Sequence, residues 1–570
     1  MTLYRSALLL IVGLLAACQT AQPRHSRPPA LSPQPVEALI SIAPADQPGY
    51  WRVSYQLPVA VSEFRFARTG ANRRGWRVNA DLMRWRTEAG EAVVEARDGS
   101  EFQRLELWLP EDLRTYAKDY ALFKRFSDGG LLLYTGHLRP HAQMLGGQTP
   151  RYVWSAPGRQ VIAQGRVASE QISWLQADEA GSYIYAGTGD ALITATGVVV
   201  TDAGLPGWQR ALFDQGLPAL MAEFDRELGS LGQRISVYAS YRDSGQAGRF
   251  RDGGTLPAVL QMETSGDGWR SASSAARLEF LQLLAHELAH LWNRAWITED
   301  LGQAWISEGG AEALAWSVLR ASGQLSEAQL QMNISEKLNL CIFHNQRVAL
   351  DQAAGEGRYA ALYDCGALLM LATGARLQQL QPTEGVLQWW RLLLAEATSP
   401  AAAPGAERYL ELLASAVDQD FAARQQALLD QRQPTGEAWL ALLRDAGYEL
   451  AEAADQPMPQ ALSELLRREA FFSLMASDCG GWVSFNADSA GISSNANERC
   501  SAFASPRRVT TIAGLPLADA EGVYREVRRI CAEAGEVQLD GPGEGDNFSL
   551  RCSSELPEPA PVYSVRRSGG

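Results

Sequence analysis

The chain has 570 residues, more than one hydrophobic core can organise, so the length predicts several domains. Apolar residues make up 46% and charged residues 20%, the balance of a folded globular protein and not of a disordered one. A net charge of −14, with arginines scattered among acids, excludes nucleic acid as a partner, because phosphate recognition needs clustered Lys and Arg.

The first stretch, "MTLYRSALLLIVGLLAAC", has one positive charge at Arg5 and then a short apolar run. Such a run is too short for a permanent membrane span and reads as a secretory signal. It ends in Leu15-Ala16-Ala17-Cys18, which resembles the lipobox of bacterial lipoproteins. That resemblance implies a lipoprotein signal peptide over residues 1–18, with Cys18 lipidated as the mature N-terminus. Gln19 in the next position implies sorting to the outer membrane of a bacterial envelope, facing the periplasm. Residues 19–48 are rich in Pro and polar residues and read as an extended tether, with His25 solvated inside it.

Residues 49–204 alternate apolar and polar positions in short runs such as "YWRVSYQL", "QRLELWLP" and "DALITATGVVV", which predicts a β-rich N-terminal domain. His137 and His141 flank Pro140 near one strand end and read as solvated loop residues. At Gly207 the rhythm becomes helical, then "RISVYASYR" and "LPAVLQMET" read as strands on either side of a Gly-rich loop, "DSGQAGRFRDGG". From Ala275 to about Asp430 helices dominate, and residues 205–440 form the second expected domain. Residues 441–570 carry the helix "PQALSELLRREAFFSLM", two strands, a turn, a helix and a strand. This order resembles a PDZ domain, in which a peptide adds to a sheet edge. Beyond Cys18 there are six cysteines, and an even number in an exported chain implies disulfides. None has Cys-x-x-Cys spacing, and the last four allow three pairings.

The densest chemistry lies in "LLAHELAHLW", residues 283–292. His286 and His290 are one helical turn apart and project the same way, so two imidazoles can share one Zn²⁺. Glu287 can reach water bound to that metal. A third ligand is required. Continuing with Gly at 293 and His at 296 would make a metzincin, but Asn293 and Trp296 stand there. "AWISEGGAEALAW" offers Glu308 instead, with seventeen residues between it and His290, on a returning helix. Glu312, one turn further on, can accept the second N–H of a ligating imidazole.

"HELAHLWN" followed by "WISEGGAE" resembles the gluzincin peptidases, above all the glycyl aminopeptidase family with its HE-x-x-H-x-W-N and W-x-x-E-G pattern. Aminopeptidase N relatives share the second element, usually with one more residue before the glutamate. The resemblance implies a multidomain α+β architecture: an N-terminal β domain, a mainly helical thermolysin-like catalytic domain and a PDZ-like module. It implies Zn²⁺ as cofactor and a peptide or protein of the envelope as substrate. The cut is made at the N-terminus, as in an aminopeptidase, or within the chain. It also implies Tyr363 of "YDCGALLML" as the oxyanion donor, with Tyr359 one turn earlier as the alternative, and Glu263 of "LQMETSG" as the group holding the substrate amine. Glycines expected around that glutamate are missing here. The rival reading is a catalytically inactive lipoprotein that binds peptides or partner proteins through its PDZ-like domain.

Overall fold

The computed structural model describes residues 36–567 apart from 69–72, 74, 90, 112, 114–119, 247, 298–299, 382–384, 398–404, 434, 454–457, 481–484, 489–490, 495–498, 534, 544–545 and 553–555. The signal, Cys18 and His25 lie outside the described residues.

The N-terminal layer is a nine-stranded sheet with a separate three-stranded sheet. At its heart β1 (Leu39–Pro44) runs antiparallel to β2 (Tyr50–Val61) and parallel to β10 (Arg151–Ala163). Strand β1 lies inside the stretch expected to be tether. Ile40 and Ile42 alternate inward and are buried, so this short segment gains a central place in the core despite its Pro-rich approach. His137 also departs from its expected solvated state. It sits in a buried 3₁₀ turn with its Nε2 2.7 Å from the Tyr120 carbonyl, whereas His141 is exposed.

A second sheet has the order β13 (Ala191–Ile193), β14 (Gly197–Thr201), β15 (Ile235–Arg242), β17 (Val259–Ser265), β16 (Phe250–Leu256). Strands β14, β15 and β17 are parallel, and the edge strands β13 and β16 are antiparallel to their neighbours. Thus "DALITATGVVV" pairs within this sheet and not within the N-terminal one. The reason is tertiary: β14 pairs with β15, and the connection between them carries α1 (Gly207–Ala211) and α2 (Leu217–Leu228). The expected Gly-rich loop likewise becomes, in its second half, strand β16.

The helical layer follows. Helix α3 (Ser274–Asn293) starts where the Ser273 side chain accepts from Ala276 N–H. A π-helical turn (Trp305–Gly309) leads into α4 (Gly310–Ala321), then α5 (Glu327–Arg347), opened by a Ser326/Gln329 capping box, and α6 (Tyr359–Leu380). Helix α6 is long and apolar enough to cross a membrane, yet 83% of its apolar window is buried within the protein, so it is the core helix of this layer. Cys341–Cys365 ties α5 to α6.

Beyond this layer come α11 (Gln460–Cys479), α12 (Ala520–Ala532) and two small sheets, of three and four strands. Cys479–Cys500 and Cys531–Cys552 choose one of the three possible pairings. The final segment does not stay with this module. Strand β26 (Tyr563–Arg567) pairs with β18 (Tyr448–Glu452), Asn339 of α5 bonds Tyr563 in both directions at 2.8 and 2.9 Å, and Val565 is buried in the helical core. The unit expected over 441–570 is therefore an inserted module between two strands that complete the helical layer.

Candidate active site

Helix α3 brings His286 and His290 to one buried face, with ring centroids 4.8 Å apart and their Nε2 atoms 3.2 Å apart. The Glu308 carboxylate lies 3.5 Å from the first Nε2 and 3.2 Å from the second. One donor atom from each of the three residues falls within 4.8 Å of the others. Glu308 reaches this point from the π-helical turn, whose backbone presses directly on α6. A Cβ at Gly309 would collide with the backbone of Gly366 and Ala367, and one at Gly366 with the Trp305 carbonyl. Two glycines therefore allow the two segments to touch.

The far nitrogens of both imidazoles are held from behind. His286 Nδ1–H donates to Glu312 at 3.0 Å, which leaves its Nε2 directed at Glu308 and His290. His290 Nδ1 lies 3.2 Å from Asn293 Oδ1, and Asn293 in turn donates to the Ser307 carbonyl at 2.7 Å. Asn293 was visible in the sequence as part of the HELAHLWN string, but its positioning role was not. Behind Glu312 lies a buried chain that sequence reading missed altogether. Lys337 Nζ is 3.3 Å from Glu312 and 2.8 Å from Asp364, and His344 Nε2 is 3.3 Å from the second Asp364 oxygen. Its members come from α4, α5 and α6, and no spacing in the chain announces them.

Burial alone would raise the Glu308 and Glu312 carboxyls, but their cationic neighbours win. His290 and His286 hold Glu308 well below the usual carboxylate range, and Lys337 and His286 do the same for Glu312. Burial works against a charged His286, yet its bonds to Glu308 and Glu312 push the imidazole up to about 10. Glu287 goes the other way. Burial raises its carboxyl, and nearby Glu308 adds to this against the opposing pull of the two histidines. Its seat is built by strand β16: Thr255 donates to a Glu287 oxygen at 3.0 Å and to its carbonyl at 2.7 Å. Gly253 has no room for a Cβ against that carboxylate.

Tyr363 stacks on His286 with ring centroids 5.8 Å apart. Burial and its bond to Glu308 raise the phenol far above its ordinary range, so it is a donor at neutral pH. Tyr359 lines the same cleft one turn away. Tyr120, from the N-terminal layer, also faces the cleft beside Gly254, and burial with the charge of Glu287 pushes it up to about 12.

Glu263 does not join this group. It sits on β17, bonds Arg242 at 2.9 Å, and is not part of the cleft wall. The strand that borders the cleft is the edge strand β16, one position further out in the sheet, and the glycines missing around Glu263 are found there as Gly253 and Gly254. The whole cleft measures about 1200 Å³. Two imidazole nitrogens and a carboxylate oxygen converging at one point are a donor set suited to a divalent cation such as zinc.

No family model matches the chain, and no curated protein is similar to it. Among solved structures it resembles an aminopeptidase N family protein from Idiomarina loihiensis, with a TM-score of 0.59 and 15% identity over 93% of this chain and 98% of that one. It also aligns with leukotriene A4 hydrolase of Saccharomyces cerevisiae (TM-score 0.42, 12% identity, 77% and 72% covered) and with an M1 zinc metallopeptidase from Deinococcus radiodurans (0.41, 14%, 70% and 94%). The first of these likenesses establishes a shared multidomain fold.

Proposed function

We propose that the chain is a zinc-dependent peptidase. The observation that carries this reading is the buried Glu287, seated by Thr255 and Gly253 beside three converging donors whose outer atoms are already tied back. A binding-only lipoprotein would have no use for that seat. The similar fold of a protein described as an aminopeptidase N family member supports the same conclusion.

His286, His290 and Glu308 would hold the metal, with Glu312 and Asn293 fixing the two imidazoles. When bound, zinc supplies a Lewis acid for the scissile carbonyl and lowers the pKa of a water molecule. Glu287 takes the proton from that water and later delivers it to the departing amine. Tyr363 donates its phenolic hydrogen to the oxygen that becomes negative. Among the described residues edge strand β16 has one unpaired backbone side, where an extended peptide can add as a further strand. Glu263 faces Arg242 and gives no support to N-terminal recognition. Among the described residues the carboxylate on β16 is Asp252, which is engaged by Lys124 at 2.7 Å.

The test is hydrolysis of a mixed library of free and N-acetylated peptides. Cleavage abolished in Glu287→Gln, with metal content retained, supports the reading. Wild-type protein that binds zinc and cleaves nothing refutes it, and comparison of the two peptide sets separates end-cutting from internal cutting. We further propose that the enzyme is anchored to the bacterial envelope through lipid on Cys18. Release of Cys18→Ser from the membrane fraction is the expected result, and unchanged fractionation removes the anchor from that residue.

A further inference from the structure

Among the described residues five Lys and Arg side chains line the cleft: Arg251, Arg294, Lys337, Arg358 and Arg468. Four are compensated. Arg294 pairs with Asp178, Lys337 with Glu312 and Asp364, Arg358 with Glu469 at 2.8 Å, and Arg251 with Glu279 at 3.5 Å. Arg468 differs. Among the described residues no carboxylate lies within ion-pair distance of it, and its guanidinium stands 5.8 Å from the Phe485 ring.

Its setting is also distinctive. Leu465, Arg468, Glu469 and Phe472 follow the i, i+3, i+4, i+7 spacing of one helical face on α11, and all four line the cleft. Glu469 on this face is consumed by Arg358. That leaves an exposed guanidinium between the half-buried apolar side chains of Leu465, Phe472 and Phe485. A planar, permanently charged fork at the wall of a cleft recognises a carboxylate, and the apolar surface beside it strengthens the pairing by excluding water.

We propose that this face of α11 is a substrate subsite for a peptide carboxylate, supplied by an acidic side chain or by the peptide's own C-terminus. The subsite deepens the peptidase reading and rests on it. It also gives the C-terminal module a role in selecting substrate.

The experiment uses the full-length zinc-loaded protein and matched peptides differing only as Glu against Gln, or as C-terminal acid against amide. An exposed ion pair of this kind is expected to give about a fivefold preference in kcat/KM for the carboxylate partner, expressed mainly in KM and reduced by salt. Which of the two peptide pairs shows it identifies the source of the carboxylate. Arg468→Ala should bring the ratio near one, and Arg468→Glu should invert it. Equal rates for all peptides in the wild type, or a preference unchanged in Arg468→Ala, overturns the subsite and leaves the peptidase reading standing. If the wild type cleaves none of them, the peptidase reading fails and the subsite is judged by calorimetric binding of the same peptides. A preference for the carboxylate partner that Arg468→Ala abolishes upholds it, and equal affinities overturn it.

Discussion

Tyr363 stacks on His286, and their chemistry gives the sharpest expectations for single residues. A phenol that bonds the tetrahedral oxyanion more strongly than the ground-state carbonyl lowers the barrier without tightening substrate binding. Tyr363→Phe should therefore reduce kcat by about 100-fold in steady-state assays, with KM and zinc content nearly unchanged. Wild-type turnover in that variant would make Tyr363 a packing residue. His286 offers a pH test. Its imidazole is pushed up to about 10 by Glu308 and Glu312, so in chelator-treated protein it carries a proton at neutral pH. Ligation needs the neutral ring. Zinc uptake should then release a proton, and affinity should weaken about tenfold for each unit that pH falls below that value. Calorimetry in two buffers of different ionisation enthalpy measures the release, and identical heats would contradict it.

Between elements, the site depends on places where backbone meets side chain. Gly253 lets β16 lie directly against Glu287, so Gly253→Ala must push the carboxylate from its seat or move the strand. Turnover should fall by about 100-fold while zinc stays bound, since among the described residues no hydrogen bond or ion pair joins His286, His290 or Glu308 to that strand. Lys337 connects α5 to both α4 and α6 through Glu312 and Asp364. Replacing it by Met leaves half-buried Glu312 and buried Asp364 without their ammonium partner, each still beside an imidazole, and should cost about 3–5 kcal/mol, seen as a lower melting temperature. The pH dependence follows from Asp364. Burial would raise its carboxyl, but Lys337 and His344 more than offset this and the folded pKa is lowered. Its stabilising contribution is complete above the unfolded value of about 4 and disappears as pH falls through the lower folded one. The wild type should lose stability on acidification below that range. Lys337→Met should lose less, because without the ammonium the two carboxyls are held less far below their ordinary range.

On the scale of the molecule, the inserted module and the helical layer are closed by different means. Strand β26 pairs with β18 and bonds α5, while the module itself is stapled by Cys479–Cys500 and Cys531–Cys552. The second staple closes a loop with a sequence separation of 21, which in the chain-entropy account is worth about 3 kcal/mol. Cys531→Ser with Cys552→Ser should therefore make the module the first part to open, measured by limited proteolysis around α12. A digestion pattern identical to the wild type would show that packing alone holds it.

How much of this was legible in the chain depends on the range of the interaction. The paired imidazoles, Glu287 and Glu308 could be found because helical geometry turns a spacing of four into a shared face, and a turn and a return helix bring in the third donor. Glu312 followed from the same arithmetic, and Tyr363 came from resemblance to a known helix. The β-rich start, the helical middle and the α+β end were readable from periodicity, because each period reports which side of an element is buried. What sequence placed wrongly was decided by pairing between distant segments. Strand β1 looked like tether until the sheet closed around Ile40 and Ile42. "DALITATGVVV" was read as part of the N-terminal domain but joined the second sheet by pairing with β15. Glu263 was taken for the strand beside the cleft, but β16 occupies that edge and Arg242 holds Glu263. The chain by itself determined the donors and their local faces. The tertiary structure alone decided which strand borders the cleft, which lysine lies behind Glu312, and that α11 lends Arg468 to the wall, because each of these joins groups far apart in sequence.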